Sequence, residues 1–256
     1  MTKTIAVAGK GGTGKTTISA LIIDYLARSK KGSILAIDAD PSTNLNLALG
    51  VPLLDTVGDV REETATAVGG GAALGGMSKW DYLDFRINES IVEERAFDLL
   101  AMGRPEGPGC YCAANNILRT SVDRLSDAYD YVVIDNEAGL EHLSRRTTRD
   151  VDLLLLVSDP TLRGIIAAGR VAELVDELKT DVGETYLIVN RVNGETLPEP
   201  LNKAIEEHKL RLAGVIPTDP NVNELDAMGQ AIVQLPEDAP SRQALDSILA
   251  ALNGGL

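Results

Sequence analysis

Eight residues near the start of the chain, Gly9-Lys10-Gly11-Gly12-Thr13-Gly14-Lys15-Thr16, carry its most explicit chemistry. They satisfy the spacing G-x-x-x-x-G-K-[ST], in which successive backbone N–H groups wrap the phosphates of a nucleotide. In such a loop Lys15 reaches the β- and γ-phosphates and the Thr16 hydroxyl binds Mg²⁺. Glycine is needed because a side chain would hold the anion off the backbone and forbid the required φ angles. Gly9, Gly11, Gly12, Thr13, Gly14, Lys15, Thr16 and Thr17 are therefore candidate nucleotide contacts. The spacing does not require Lys10. It either projects toward the nucleotide of a neighbouring subunit or is a solvated surface lysine.

Carboxylates follow at two later points. Asp38-Ala39-Asp40-Pro41 ends an apolar run, and nucleotide hydrolysis needs such groups to hold the Mg²⁺ shell and to orient the attacking water. The plainer alternative is a pair of turn-capping aspartates before Pro41. Tyr131-Val132-Val133-Ile134 also ends in a carboxylate, Asp135, the form of a strand that presents a magnesium ligand through water. The two cysteines, Cys110 and Cys112, precede a helical segment. Two residues apart, they fit disulfide geometry poorly, whereas a helix N-terminus favours the metal-binding thiolate. Two thiolates leave a four-coordinate site half filled, and a two-fold axis would supply the other pair. A four-sulfur site of that kind suits Ni²⁺, Zn²⁺, Cu⁺ or an iron–sulfur cluster; the alternative is two incidental thiols.

The elements that must position these groups can be read from hydrophobic patterning. Strand-like runs fall at Thr4–Ala8, Ile34–Ile37, Phe97–Ala101, Tyr131–Ile134, Leu153–Val157, Tyr186–Val189 and Leu212–Ile216, several of them continuous as in strands buried on both faces. Helical stretches cover 15–30, 113–128, 163–180, 199–208 and 241–252. This alternation predicts an α/β fold, a mostly parallel twisted sheet covered by helices on both faces, in a single domain over 1–256. A variable segment around 58–109 interrupts the rhythm; its Gly69–Gly76 string reads as a flexible surface loop. With 256 residues, 44 % hydrophobic and 24 % charged, the composition is that of a soluble globular protein. No apolar stretch reaches membrane length and no signal peptide precedes the first strand, so a cytoplasmic protein is expected. A net charge of −14 argues against a nucleic-acid partner. The nearest basic cluster, Arg145-Arg146 with Arg149, is small, and the 241–252 helix is too poor in basic residues for a membrane-targeting one. His208, among Glu206 and Glu207, reads as solvated, and His142 as a locally packed or capping residue.

The run Lys10-Gly11-Gly12-Thr13-Gly14-Lys15-Thr16 resembles the deviant Walker A motif of the MinD/ParA/nitrogenase-iron-protein class of dimeric P-loop ATPases (SIMIBI type). The resemblance implies a homodimer that hydrolyses ATP to ADP and phosphate, with Lys10 crossing the two-fold axis to the partner's phosphates. It makes Asp40 the water-positioning residue of switch I and places Asp38 in the magnesium environment. Asp135 and the following Asn136-Glu137-Ala138-Gly139 resemble switch II, whose Gly139 amide senses the γ-phosphate. Asn190, beside Arg191, would read the adenine amino group, and Pro217, Thr218 and Asp219 would form the opposite wall. Met102 to Cys112, Met77-Ser78-Lys79, Tyr82 to Glu89 and Glu137 to Leu143 are similar to the CooC-type ATPases. That similarity implies nickel (or zinc) held by Cys110 and Cys112 across the dimer, and nickel insertion into carbon monoxide dehydrogenase or acetyl-CoA synthase. The alternatives are an iron–sulfur carrier or reductase-type ATPase and a MinD/ParA-like positioning ATPase.

Overall fold

The computed structural model of the chain describes residues 2–69, 76–104, 111–137, 151–177, 182–194 and 196–252. Its strands are β1 (Lys3–Gly9), β2 (Ile34–Ala39), β3 (Val92–Glu93), β4 (Asp98–Ala101), β5 (Tyr131–Asn136), β6 (Val151–Ser158), β7 (Val182–Val192) and β8 (Leu212–Pro217). The described helices are α1 (Lys15–Arg28), α2 (Leu45–Leu49), α3 (Val57–Gly69), α4 (Lys79–Glu89), α5 (Tyr111–Leu125), α6 (Leu162–Glu177), α7 (Glu199–Glu207), α8 (Pro220–Met228) and α9 (Pro240–Ala251). The strands form one sheet in the order β3-β4-β2-β5-β1-β6-β7-β8. Neighbours are parallel except β3 and β4, which run antiparallel. The expected mostly parallel α/β sheet is what the chain forms.

Side chains alternate faces along a strand, and each face has its own core. On one side Ile5 and Val7 of β1 and Leu153, Leu155 and Val157 of β6 pack against α1 and α9 through Ile18, Ile22, Leu26, Leu245 and Leu249. On the other, Ala6 and Ala8 of β1 and Leu154 and Leu156 of β6 meet α6 and α7 through Ile165, Ala168, Leu201 and Ile205. Leu35 and Ile37 of β2, with Val132 and Ile134 of β5, are covered by α3, α4 and α5. The last helix is also tied to the first by charge. Arg242 is 4 % exposed and reaches Asp24 at 3.1 Å, while Arg28 holds Asp246 at 3.0 Å.

Some elements escaped the sequence patterning. The segment around 58–109, read as an interruption of the strand–helix rhythm, holds nearly all of α3 and the whole of α4. Their buried stripes are narrow (Val57 and Val60, Leu83 and Ile87), so the helical period is faint. Polar contacts supply what the stripes lack: Arg86 pairs with Glu63 at 2.7 Å, and the Tyr82 hydroxyl donates to Glu63 at 2.7 Å. α8 buries no residue and β3 has two residues, so neither carries a hydrophobic pattern. His208 is a correction. Its ring is half-buried, packed where a Cβ on Gly169 would stand 2.5 Å away, with Nδ1 3.3 Å from a Glu173 carboxylate oxygen. The Arg145-Arg146-Arg149 cluster, His142 and 70–75 of the glycine string lie outside the described residues.

Candidate nucleotide and magnesium site

β1 runs in the middle of the sheet between β5 and β6 and delivers the glycine-rich loop at its carboxyl end. Gly9 closes the strand at φ +150°, and a Cβ there would stand 2.2 Å from the Val157 carbonyl oxygen, so no side chain fits. Gly14 caps α1 in the left-handed region at φ 92°, and a Cβ would meet Asn190 Nδ2 at 2.4 Å. The first turn of α1 holds no acidic residue and its N-cap offers no side-chain acceptor. The positive end of the helix is therefore open to an anion.

Inside the loop the Lys10 carbonyl accepts from the Thr13 hydroxyl at 2.9 Å and from the Lys15 ammonium at 3.4 Å. Lys15 is buried, and burial lowers its pKa against the opposing pull of Asp135, Asp40 and Glu137. Lys10 is exposed, so of the two lysines one points into the protein and the other to solvent.

The carboxylates converge through sheet register. Asp135 stands beside Val7 in the β1–β5 ladder and opposite Asp38 in the β2–β5 ladder. Both are buried. Burial, with repulsion from Asp135, raises Asp38 to about 7 although three backbone N–H groups donate to it. Burial raises Asp135 to about 6, opposed by hydrogen bonds from Thr16 and Ser19 and by the Lys15 charge. The Ser19 hydroxyl donates to Asp135 Oδ1 at 3.0 Å.

Asp38 and Asp40 differ. Asp38 lies within β2, and its carboxylate receives the N–H groups of Asp40, Asn44 and Leu45 at 2.9–3.0 Å, so it holds the following turn. Asp40 lies past the strand end, half-buried, and accepts from Ser42 N–H at 2.8 Å. The turn-capping alternative therefore describes what both aspartates do here, without removing Asp38 from the carboxylate pair. Next to Asp135, Asn136 donates to the Val7 carbonyl at 3.1 Å, and its buried Oδ1 has no hydrogen-bond partner.

The late-chain residues meet the loop from the other side. Asn190, Arg191, Pro217, Thr218 and Asp219 line a groove with Thr17, Ile18 and Leu21 of α1. Asn190 Nδ2 donates to the Thr13 carbonyl at 2.9 Å, and Arg191 Nη1 to the Gly12 carbonyl at 2.9 Å. Asp219 caps α8 and accepts from Ser241 at the start of α9. Burial raises its pKa, but hydrogen bonds from Ser241 and Asn221 outweigh burial and leave the carboxyl below its ordinary value. Ser19 and the Thr13 hydroxyl were missed in the sequence. Ser19 had a signal, since it is a hydroxyl on the otherwise apolar inner side of α1, one turn beyond Thr16.

Cys110 and Gly139 lie outside the described residues, and Cys112 is described only as backbone in the first turn of α5. Among the described residues no group of three or more His, Cys, Asp or Glu side chains is arranged to hold a metal ion. Also among them, no helix is long and apolar enough to cross a membrane.

A parallel sheet that presents a lysine-bearing phosphate loop beside paired strand-end carboxylates defines a P-loop ATPase. The sequence matches the CbiA family, the CobQ/CobB/MinD/ParA nucleotide binding domain, over residues 4–232, and the chain belongs to that family. It is 45 % identical over 234 residues to an uncharacterized ATP-binding protein of Methanocaldococcus jannaschii, covering 91 % of this chain and 92 % of the relative. It is 30 % identical over 262 residues to the carbon monoxide dehydrogenase accessory protein CooC of Rhodospirillum rubrum, covering 97 % and 95 %. Among solved structures, the septum site-determining protein MinD of Pyrococcus horikoshii, complexed with Mg-ADP, superposes with a TM-score of 0.72 at 22 % identity, covering 99 % of this chain and 96 % of that one.

Proposed function

We propose that this chain is a homodimeric, Mg²⁺-dependent ATPase that carries a thiophilic metal between its subunits and assists nickel insertion into carbon monoxide dehydrogenase or acetyl-CoA synthase. ATP is held by the amides of Gly9–Thr16, by Lys15 and by Thr17, with Lys10 reaching the nucleotide of the second subunit. Asp40 orients the attacking water, and the Gly139 amide senses the γ-phosphate. The adenine rests in the groove between Asn190-Arg191 and Pro217-Thr218-Asp219. The donor set suits Mg²⁺, a hard cation that takes one or two carboxylates together with substrate phosphates. Thr16, Asp38 and Asp135 offer a hydroxyl and two buried carboxylates that repel each other, which a cation would relieve. When bound, the ion neutralises charge on the transferred phosphoryl group.

The observation that carries the metal reading is a short path. Cys112 sits in the first turn of α5, and α5 leads through a single turn at Ser126–Ala128 into β5, which bears Asp135. Similarity to the Rhodospirillum rubrum accessory protein across nearly the whole chain supports the same reading. A shift at the end of β5 when the γ-phosphate is bound or lost would reach the cysteines through one helix. Metal and nucleotide affinities would then be linked reciprocally.

The test is metal analysis with sizing, with and without ATP, on the wild type and on Cys112→Ala. One nickel or zinc ion per two chains, lost in the variant and accompanied by an ATP-dependent dimer, is expected. One ion per chain that survives Cys112→Ala would eliminate the shared site.

A further inference from the structure

Asn190 and Arg191 do more than border the groove. From the end of β7 they donate to two consecutive carbonyls of the phosphate loop: Asn190 Nδ2 to Thr13 O at 2.9 Å and Arg191 Nη1 to Gly12 O at 2.9 Å. In a planar trans peptide the C=O and the N–H of the next residue point to opposite sides. A held Gly12 carbonyl therefore turns the Thr13 N–H away from Arg191. A held Thr13 carbonyl likewise turns the Gly14 N–H away from Asn190. The loop needs that outside help. Gly12 and Gly14 both adopt positive φ (78° and 92°), and glycine pays the largest entropy to stay in one such conformation.

Two further details fit a clamp. Arg191 itself sits at φ 59°, an uncommon left-handed conformation for a non-glycine residue that the surroundings must sustain. Asn190 Oδ1 accepts the Arg191 N–H at 2.9 Å, which fixes the amide so that its Nδ2 faces the loop. One lone pair of that oxygen remains for a donor in the groove.

We infer that Asn190 and Arg191 are positioning residues for phosphate binding: they hold the Gly12 and Thr13 carbonyls outward so that the Thr13 and Gly14 amides face the nucleotide's phosphates. The clamp links the base groove to the phosphate loop through a single side-chain amide. A base seated on Asn190 Oδ1 steadies the same group that orients the loop. This rests on the P-loop ATPase fold and not on the metal reading, because its readout contains no thiol and no transition metal.

The experiment separates phosphate positioning from base recognition by using each half of the nucleotide. Affinities for inorganic tripolyphosphate, adenosine and ATP are measured with Mg²⁺ on the wild type, Arg191→Ala, Arg191→Lys and Asn190→Asp. Arg191 is exposed, so its variants keep the fold; Asn190→Asp keeps an acceptor for a base but loses the donor to Thr13 O. The loss of one such hydrogen bond predicts that Arg191→Ala weakens tripolyphosphate about tenfold and adenosine, whose groove Arg191 only borders, by less. Arg191→Lys restores part of the loss, and Asn190→Asp weakens tripolyphosphate at least as much, because its carboxylate both loses the donor and opposes the Thr13 carbonyl. Tripolyphosphate affinity within about twofold of wild type in both Arg191→Ala and Asn190→Asp would overturn the inference. So would a loss confined to adenosine.

Discussion

Removing one hydroxyl, Ser19→Ala, tests whether Asp135 is tuned by its buried partners. Ser19 is fully buried and donates to Asp135 Oδ1 at 3.0 Å; Thr16 also donates, and Lys15 adds positive charge. Burial already lifts the carboxyl to about 6. A hydrogen bond to a charged acceptor contributes about 1.5 kcal/mol or more, which moves the midpoint up by about one pH unit. Should Mg²⁺ need the ionised form, the variant's apparent Mg²⁺ affinity in the presence of ADP falls about fivefold at pH 6, about twofold at pH 7 and hardly at all at pH 8. The assay is a Mg²⁺ titration of bound fluorescent ADP at those three pH values, with unfolding measured alongside. A loss of the same factor at every pH would refute the reasoning, because Ser19 would then act through packing and not through the charge of Asp135.

Other perturbations have equally definite outcomes. In Asp38→Asn one of the three turn N–H groups loses its acceptor, at a cost of about 1–3 kcal/mol. Because the wild-type carboxyl is raised to about 7, its stabilising contribution is present below the unfolded value and is lost as pH rises through about 7. The stability gap between wild type and Asp38→Asn in Mg²⁺-free denaturant titrations should therefore narrow from pH 5 to pH 8, and a gap that widened would contradict the assignment. Asp219→Ala removes the cap of α8 and the acceptor of the Ser241 N–H and hydroxyl, costing about 2–4 kcal/mol and weakening ADP binding. A change under about 0.5 kcal/mol in the unfolding free energy would show that this joint is unimportant.

What the sequence disclosed was mostly local. The loop from Gly9 to Thr16 declares itself because strand, glycines, lysine and helix follow one another within a single βα unit, and each has its own pattern. Asp135 was readable because it ends an unbroken apolar run. The contacts that organise the site are remote: Asn190 reaches Thr13 across 177 residues, and Ser19 reaches Asp135 across 116. Such pairings depend on the order of strands in the sheet, which no local period encodes. Spacing alone did not tell Asp38 from Asp40; only the resemblance did. The sheet separates them, since one is an interior residue of β2 whose carboxylate ties down the next turn and the other stands beyond its end. α3 and α4 were hidden for a different reason. Each offers two buried apolar residues to the sheet, and the Arg86–Glu63 pair joins the helices to each other; charge pairing leaves no periodic trace.

The ion pairs Arg242–Asp24 and Arg28–Asp246 bolt α9 along α1, the helix that begins at the phosphate loop. A tilt of α1 on filling or emptying of that loop has to carry α9 with it. The far surface of the molecule thereby becomes a vantage point: a reporter on the exposed Gln243 would register events in the loop without touching it.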